Sequence, residues 1–120
     1  MQYTIDFFTE KISHLKGATF YYRTDWDVWY FGLGSKMFGF ITKDLRLLTI
    51  KNTPEKNERL REAFPESIIP GYHMNKTHWN SVLLVEPTID EVLLTTLLQE
   101  SYQLVFQKLS QKEQACIQQV

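Results

Sequence analysis

Cysteine is almost absent from this sequence. The single cysteine, Cys116, lies in a glutamine-rich stretch near the carboxy-terminal end. One thiol cannot form an intramolecular disulfide, so the chain carries no mark of an oxidising compartment. No histidine stands near Cys116 in the sequence to activate it as a nucleophile. We therefore interpret it as an unreactive thiol.

Long apolar runs are missing as well. No stretch approaches the roughly 18 to 20 apolar residues that span a bilayer. The amino-terminal segment also lacks a basic region followed by an apolar stretch and a cleavage site. The sequence therefore predicts a cytoplasmic protein with no membrane partner.

The chain has no excess of either charge. Thirteen Lys and Arg residues stand against fourteen Asp and Glu, which gives a net charge of -1. Such a balance is not typical of a strong nucleic-acid binder. Residues 1–80 carry eleven basic and nine acidic side chains, whereas residues 81–120 carry two and five. We therefore expect any basic surface to lie outside the carboxy-terminal third.

Apolar side chains, in contrast, are plentiful. They make up 43% of the 120 residues, and aromatic residues make up 14%. This is enough material for one hydrophobic core without metal or disulfide support. We assign residues 1–110 to a single domain and residues 111–120 to a polar, frayed tail.

The first half of the chain begins with a helical pattern and continues with strand patterns. We predict a helix over 4–16, with Gly17 as a left-handed cap. Its apolar stripe consists of Ile5, Phe8, Ile12 and Leu15. The next segment is rich in aromatic and β-branched residues and is interrupted by "GLGSK" and "TKD". It predicts antiparallel strands near 20–23, 27–33, 37–42 and 45–50.

The second half predicts two more helices. Thr53 is a suitable cap and Pro54 a suitable first residue for the middle helix. Short strands are expected at 67–69 and 80–85. Thr88, with Glu91 three residues later, predicts a capping box that opens a long helix.

Clustered strands followed by helices are typical of the α+β class. We predict a two-layer fold with a mostly antiparallel sheet of about five or six strands. Three helices, one amino-terminal, one in the middle and one long and carboxy-terminal, are expected to pack on one face.

Candidate catalytic and metal-binding residues do not form a recognisable pattern. His73 and His78 are five residues apart and lack the "HExxH" spacing of a zinc site. Asp25 and Asp27 are explained by a turn without acid–base chemistry. The serines stand outside any nucleophile elbow; they include Ser35, Ser67, Ser81 and Ser101. We therefore expect no enzyme activity, no metal and no cofactor.

Basic and aromatic residues concentrate instead in the predicted strands and turns. Between residues 36 and 51, four basic side chains accompany one acidic side chain, Asp44. Basic residues on turns can contact phosphates, and aromatic neighbours can stack on bases. The alternative is that the lysines only solubilise strand edges while the tryptophans belong to the core. The candidate nucleic-acid contacts are Lys36, Lys43, Arg46, Lys51, Lys76 and His78.

Four segments together resemble the MmcQ/YjbR family of small bacterial proteins. They are "GSKMFGFI", "KNTPEKNERLREAFP", "PGYHMNKTHWNSV" and "ESYQLVFQKL", in this order. The resemblance covers nearly the whole chain, to about Leu109. Its most specific residues are Pro70, Gly71, Tyr72, His73, Asn75, Lys76, His78 and Trp79, followed by Ser101 and Tyr102. We interpret Gly71, Tyr72, His73, Asn75, Trp79, Ser101 and Tyr102 as structural.

This resemblance implies a fold and a function. The family is similar in layout to secretion-chaperone-like α+β folds, and it is described as DNA-binding through a "double wing" of hairpins. Lys36, Lys51 and Lys76 match lysines of the family. The resemblance also implies that "PGYHMNKTHW" is a structured loop with Lys76 at its tip.

Two other interpretations stay open from the sequence. An exposed sheet face or edge can receive a protein segment, as in a chaperone-like module. A pocket between the long helix and the sheet can hold a small ligand, with Tyr72, His73 and Tyr102 as polar anchors.

Overall fold

Four helices and six strands build the fold. The computed structural model describes residues 3–85 and 89–119. The elements, in chain order, are α1 (Ile5–Ser13), β1 (Ala18–Arg23), β2 (Val28–Leu33), β3 (Lys36–Thr42), β4 (Leu47–Lys51), α2 (Pro54–Ala63), β5 (Ile68–Pro70), β6 (Trp79–Leu83), α3 (Glu91–Lys108) and α4 (Gln111–Gln118).

The strands form one sheet in the order β1-β2-β3-β4-β6-β5, and every neighbouring pair is antiparallel. The first four strands follow one another as a meander. A two-residue turn, Gly34–Ser35, joins β2 to β3, and Gly34 takes the positive φ that such a turn needs. The predicted α+β class and antiparallel sheet are confirmed.

One face of the sheet, the inner face, carries the hydrophobic core. Register places Phe31, Leu48 and Val82 on this face, and all three are buried. Each helix contributes buried apolar side chains to the same cluster, which contains Phe8, Ile12, Leu60, Leu94, Leu98, Tyr102 and Ile117. The helices therefore share one side of the sheet, as the sequence predicted.

The helix ends follow local capping rules. Thr53 caps α2 by accepting a hydrogen bond from the backbone nitrogen of Lys56, and Pro54 is the first helical residue, as predicted. The predicted cap Thr88 lies outside the described residues. The N-cap of α3 is Asp90, whose side chain accepts from Leu93, so the prediction of a helix capped two residues earlier is wrong. Among the described residues, no helix is both long and apolar enough to cross a bilayer.

Two predicted boundaries move because of turns. The helix predicted over 4–16 ends at Ser13, and Gly17, at φ +77°, belongs to the following turn. The strand predicted from residue 45 begins at Leu47. There the side chains of Thr42 and Asp44 accept the backbone N–H of Arg46, and Leu45 is left-handed at φ +61°.

The segment 111–120, predicted to be a frayed tail, contains a fourth helix. Ser110 caps α4 by accepting from the backbone nitrogen of Glu113. Ile117 is buried, and an added Cβ on Gly17 would lie 2.9 Å from its side chain. The prediction of three helices is therefore wrong by one. Its cause is composition: one buried isoleucine among glutamines gives too weak an apolar stripe to be noticed.

A substitution at Ile117 tests whether α4 docks in solution. We expect Ile117→Ala to lower the free energy of unfolding by about 2 kcal/mol, the low end of the range for buried isoleucine, because the helix lies at the rim of the core. Urea denaturation measures this change. Cys116→Ala, at the exposed neighbouring position, serves as the control and should leave the stability unchanged. Equal stability of the two variants would mean that α4 is not packed.

Candidate functional site

The predicted basic residues lie at two opposite ends of the sheet. β3 and β4 are antiparallel, so Lys36, at the start of β3, lies at the same end as Lys51, at the end of β4. Lys43 and Arg46 belong to the turn at the other end. At about 3.3 Å per strand residue, the two ends are about 20 Å apart. The single basic surface predicted from residues 36–51 is therefore divided in two.

Lys108 joins Lys36 and Lys51 and completes a cluster that we call the lysine site. A cavity of about 480 Å3 is lined by all three lysines together with Met37, Met74, Trp79 and Val105. A neighbouring cavity of about 400 Å3 is lined by Lys51, Lys108, His78 and the start of α2 at Thr53 and Pro54. The expectation that no basic surface includes the carboxy-terminal third is thus wrong.

The charges of Lys36 and Lys108 lie close enough to affect the Lys51 ammonium. Burial, followed by the positive charges of Lys108 and Lys36, lowers the pKa of the Lys51 ammonium. Within residues 3–85 and 89–119, none of the three lysines forms an ion pair. Charges of one sign that are held together without a counter-ion favour an anionic ligand.

Nearby carboxylates are engaged elsewhere. Glu113 accepts the backbone N–H of Ser35 at 2.8 Å and its hydroxyl at 3.1 Å. Glu100 accepts from the side chain of Asn52 at 2.9 Å and pairs with Lys56 at 3.6 Å. These contacts order the two chain segments next to Lys36 and Lys51 without neutralising the lysines.

Ser101, on α3, links the ends of β3 and β4 at the lysine site. Its hydroxyl donates to the carbonyl oxygen of Phe38 at 2.5 Å and accepts the backbone N–H of Lys51 at 2.8 Å. The regular β3–β4 pairing stops at Gly39 and Ile50, one step before Phe38 and Lys51. Ser101, which is fully buried, takes the place of the missing strand-to-strand bond and holds the end of the sheet open.

Sequence reasoning missed Lys108, although a signal was present. Ser101, Val105 and Lys108 are four and then three residues apart, a spacing that places them on one side of a helix. Ser101 and Val105 are buried, and Lys108 continues their line to the exposed end of α3. The family segment that contains Ser101 therefore pointed at this lysine.

The loop between β5 and β6 is built by the residues that the resemblance singled out. The backbone nitrogen of Gly71 donates to the carbonyl oxygen of Trp79 at 2.9 Å, and a Cβ on Gly71 would lie 2.7 Å from the Cβ of Trp79. Gly71 provides this close packing, because a side chain at its position would not fit against Trp79. The left-handed position is His73, at φ +60°. Asn75 accepts the backbone N–H groups of Thr77 and His78 at 2.9 and 3.1 Å.

Lys76 and His78, the two predicted nucleic-acid contacts in this loop, differ in whether their side chains are free to bind a ligand. Lys76, expected free at the loop tip, has an exposed residue surface, but its ammonium donates to the carbonyl oxygen of Gly71 at 3.0 Å. Its own carbonyl accepts from Arg61. His78 is exposed and lines the second cavity of the lysine site. Of the six predicted contacts, Lys36, Lys51 and His78 come together.

The small-ligand pocket proposed between Tyr72, His73 and Tyr102 does not form. Tyr102 is buried on the inner side, where its hydroxyl donates to the carbonyl oxygen of Lys16 at 2.6 Å. The backbone of Tyr72 bonds to Ser81, which register places on the opposite face. The rings of Tyr72 and His73 contact each other in a tilted arrangement, with centroids 3.9 Å apart, and both residues are exposed. The sheet therefore separates the three anchors.

The outer face of the sheet keeps the protein-interaction prediction open. Tyr21 and Trp26 are about half exposed, at 48% and 52%, and both contact Tyr30. The guanidinium of Arg23 lies 4.0 Å from the Trp26 ring and pairs with Asp25. The described residues contain no group of three or more His, Cys, Asp or Glu side chains that could hold a metal ion.

Comparison with known proteins places these features in a family. A family model described as YjbR matches residues 13–104. The uncharacterised protein YbdF of Escherichia coli O157:H7 is 39% identical over 87 residues, which are 70% of this chain and 69% of YbdF. The uncharacterised protein YyaQ of Bacillus subtilis (strain 168) is 41% identical over 61 residues, 51% of this chain and 49% of YyaQ.

Solved structures agree with the fold. The crystal structure of a Deinococcus radiodurans protein with a DUF419 domain has a TM-score of 0.86 and 34% identity, and the match covers 98% of this chain and 88% of that one. A Pseudomonas syringae protein has a TM-score of 0.67 at 21% identity, with 85% and 98% covered, and it supports the fold alone. Because the matched model extends from the end of α1 through the sheet, the 71–79 loop and Ser101, the chain belongs to the YjbR family.

Proposed function

We propose that the chain is a non-enzymatic module that binds the phosphate backbone of DNA at the lysine site. The observation that carries this proposal is the convergence of Lys36, Lys51 and Lys108 from three different elements, with no ion pair to any of them in the described part of the chain. Phosphate contacts of this kind supply most of the affinity of nonspecific DNA binding.

The chemistry of the contacts argues against sequence recognition. A lysine ammonium is a point charge, whereas base reading in the grooves typically uses the planar donors of arginine or the amides of Asn and Gln. The lining residues of the lysine site include no arginine, and the amide of Asn52, which lines one cavity, is engaged by Glu100 and by the backbone N–H of Thr53. We therefore infer binding without a preferred base sequence.

The shape of the site favours a backbone over an enclosed small molecule. The two cavities share Lys51 and Lys108, so the three lysines line two adjacent depressions at the end of the sheet. The Gly34–Ser35 turn and the 71–78 loop both lie at this end of the sheet, and we propose that they act as the two wings. The proposal places the chain in the bacterial cytoplasm, where DNA is accessible.

The overall charge of -1 limits the expected affinity. A local group of three positive charges on a neutral protein gives weak, salt-sensitive binding, since each phosphate contact releases about one condensed counter-ion. We expect binding of duplex DNA in the range of tens of micromolar at low salt.

The test compares two double variants that remove the same charge. Fluorescence anisotropy with a labelled duplex, at several salt concentrations, measures affinity and its salt slope. We expect Lys36→Ala with Lys108→Ala to weaken binding and to reduce the slope of log K against log salt by about two units. Lys43→Ala with Arg46→Ala, at the other end of the sheet, is the matched control and should leave the slope unchanged.

Two results would count against the proposal. Equal losses in both double variants would mean that only the general charge of the protein matters. No binding of duplex at low salt with about 50 µM protein would remove DNA as the ligand, since nonspecific affinities fall in this range. In the second case, the exposed outer face around Tyr21 and Trp26 would become the surface to test with protein partners.

A further inference from the structure

We propose that Lys51 is a preferred acceptor of acyl groups from small acyl phosphates. Its side chain is the partly buried member of the lysine site and lines both cavities, so a small molecule in either one reaches its amine. The other two lysines, Lys36 and Lys108, are exposed at the rim.

The rim lysines supply the recruiting charge. An acyl phosphate carries negative charge on the phosphate next to its reactive carbonyl. Lys36 and Lys108 have no carboxylate partner within the described residues. They can therefore hold the phosphate while the carbonyl carbon faces the amine of Lys51. Holding the two reactants in this orientation speeds their reaction.

The surroundings of Lys51 also increase the fraction of its side chain that is present as the free amine. The free amine, and not the ammonium, attacks a carbonyl group. The titratable groups around it are Lys36 on β3, Lys108 on α3 and His78 before β6. Burial first, and then the charges of Lys108 and Lys36, lowers the pKa of Lys51, so more of its amine is free at neutral pH than for an exposed lysine.

The reaction needs no component beyond the acyl phosphate. The lone pair of the Lys51 Nζ attacks the acyl carbon, and a carbon–nitrogen bond forms. The bond between the acyl carbon and the oxygen that bridges to phosphorus breaks, and inorganic phosphate leaves with the electron pair. The nitrogen then gives its extra proton to water. The product is a neutral amide.

Acylation would remove the central charge of the lysine site. Its consequence for DNA affinity rests on the proposed function, whereas the acylation itself does not. The reaction is therefore tested without nucleic acid, so that a failure of one proposal is distinguishable from a failure of the other.

The experiment uses the full chain with acetyl phosphate at neutral pH, followed by mass spectrometry that quantifies the acetylation of each lysine. Lys43, which is exposed and has no ion pair among the described residues, is the internal reference. We expect Lys51 to be acetylated at least about threefold faster than Lys43. In the variant Lys36→Ala with Lys108→Ala, the Lys51 rate should fall toward that of Lys43 and keep only the part of its advantage that burial provides.

A neutral reagent, acetic anhydride, separates recruitment from amine reactivity. We expect Lys51 to keep only part of its advantage with this reagent, because the rim lysines do not attract it. A Lys51 rate with acetyl phosphate equal to or below that of Lys43 would overturn the proposal. An advantage that the double variant retains in full would also overturn it.

Discussion

Replacing Trp79 by alanine is expected to lower the free energy of unfolding by about 3 to 5 kcal/mol. The indole is only 9% exposed, although register places it on the outer face of the sheet, away from the main core. The backbone of Gly71 packs directly against it. Removing the ring leaves a cavity under the 71–78 loop and loosens one wall of the lysine site.

Trp26 provides the matched control for this prediction. It is 52% exposed, and its ring contacts Arg23 and Tyr30 at the surface. Trp26→Ala should cost less than about 1 kcal/mol, the usual size of an exposed aromatic contact. Thermal and urea melts of both variants give the comparison. If Trp79→Ala melts like the wild type but loses DNA binding, the tryptophan contacts the ligand and does not support the fold.

Ser101→Ala is expected to cost about 2 to 4 kcal/mol, because a buried and a partly buried backbone group lose their partners at once. The N–H of Lys51 and the carbonyl of Phe38 both bond to the Ser101 hydroxyl, which no water reaches in its fully buried position.

The control is Ser13→Ala, which removes an exposed hydroxyl that donates to the carbonyl of Glu10. We expect its effect to stay within about 0.5 kcal/mol. Amide hydrogen exchange at Lys51 adds a local measurement, since its N–H should exchange faster in Ser101→Ala. A loss below about 0.5 kcal/mol with unchanged exchange would mean that β3 and β4 pair directly once the hydroxyl is gone.

The sequence predicted the parts of this fold that depend on short-range patterns. The cap at Thr53, the turn at Gly34 and the strands rich in aromatic and β-branched residues each follow from a few adjacent residues. The order of these patterns predicted the α+β fold class and the packing of the helices on one face of the sheet. The fourth helix did not, because its burial rests on Ile117 meeting Gly17, a contact one hundred residues apart in sequence.

The candidate site was predicted only in part, for a related reason. Four basic residues between positions 36 and 51 formed one group in the sequence. In an antiparallel pair of strands, however, the start of the first strand lies beside the end of the second, and the connecting turn lies at the opposite end. Lys36 and Lys51 therefore meet, whereas Lys43 and Arg46 do not. Lys108 comes from a distant helix, so only its helical spacing from Ser101 could have pointed to it.

The position of Cys116 on α4 allows a fluorescent label to be attached near the lysine site. It is the one cysteine of the chain and it is exposed on α4, so a maleimide dye would attach at a single position. The same helix holds Glu113 against Ser35, the residue before Lys36. A fluorophore at Cys116 would thus report from the edge of the lysine site without an added cysteine and without altering any of its three amines.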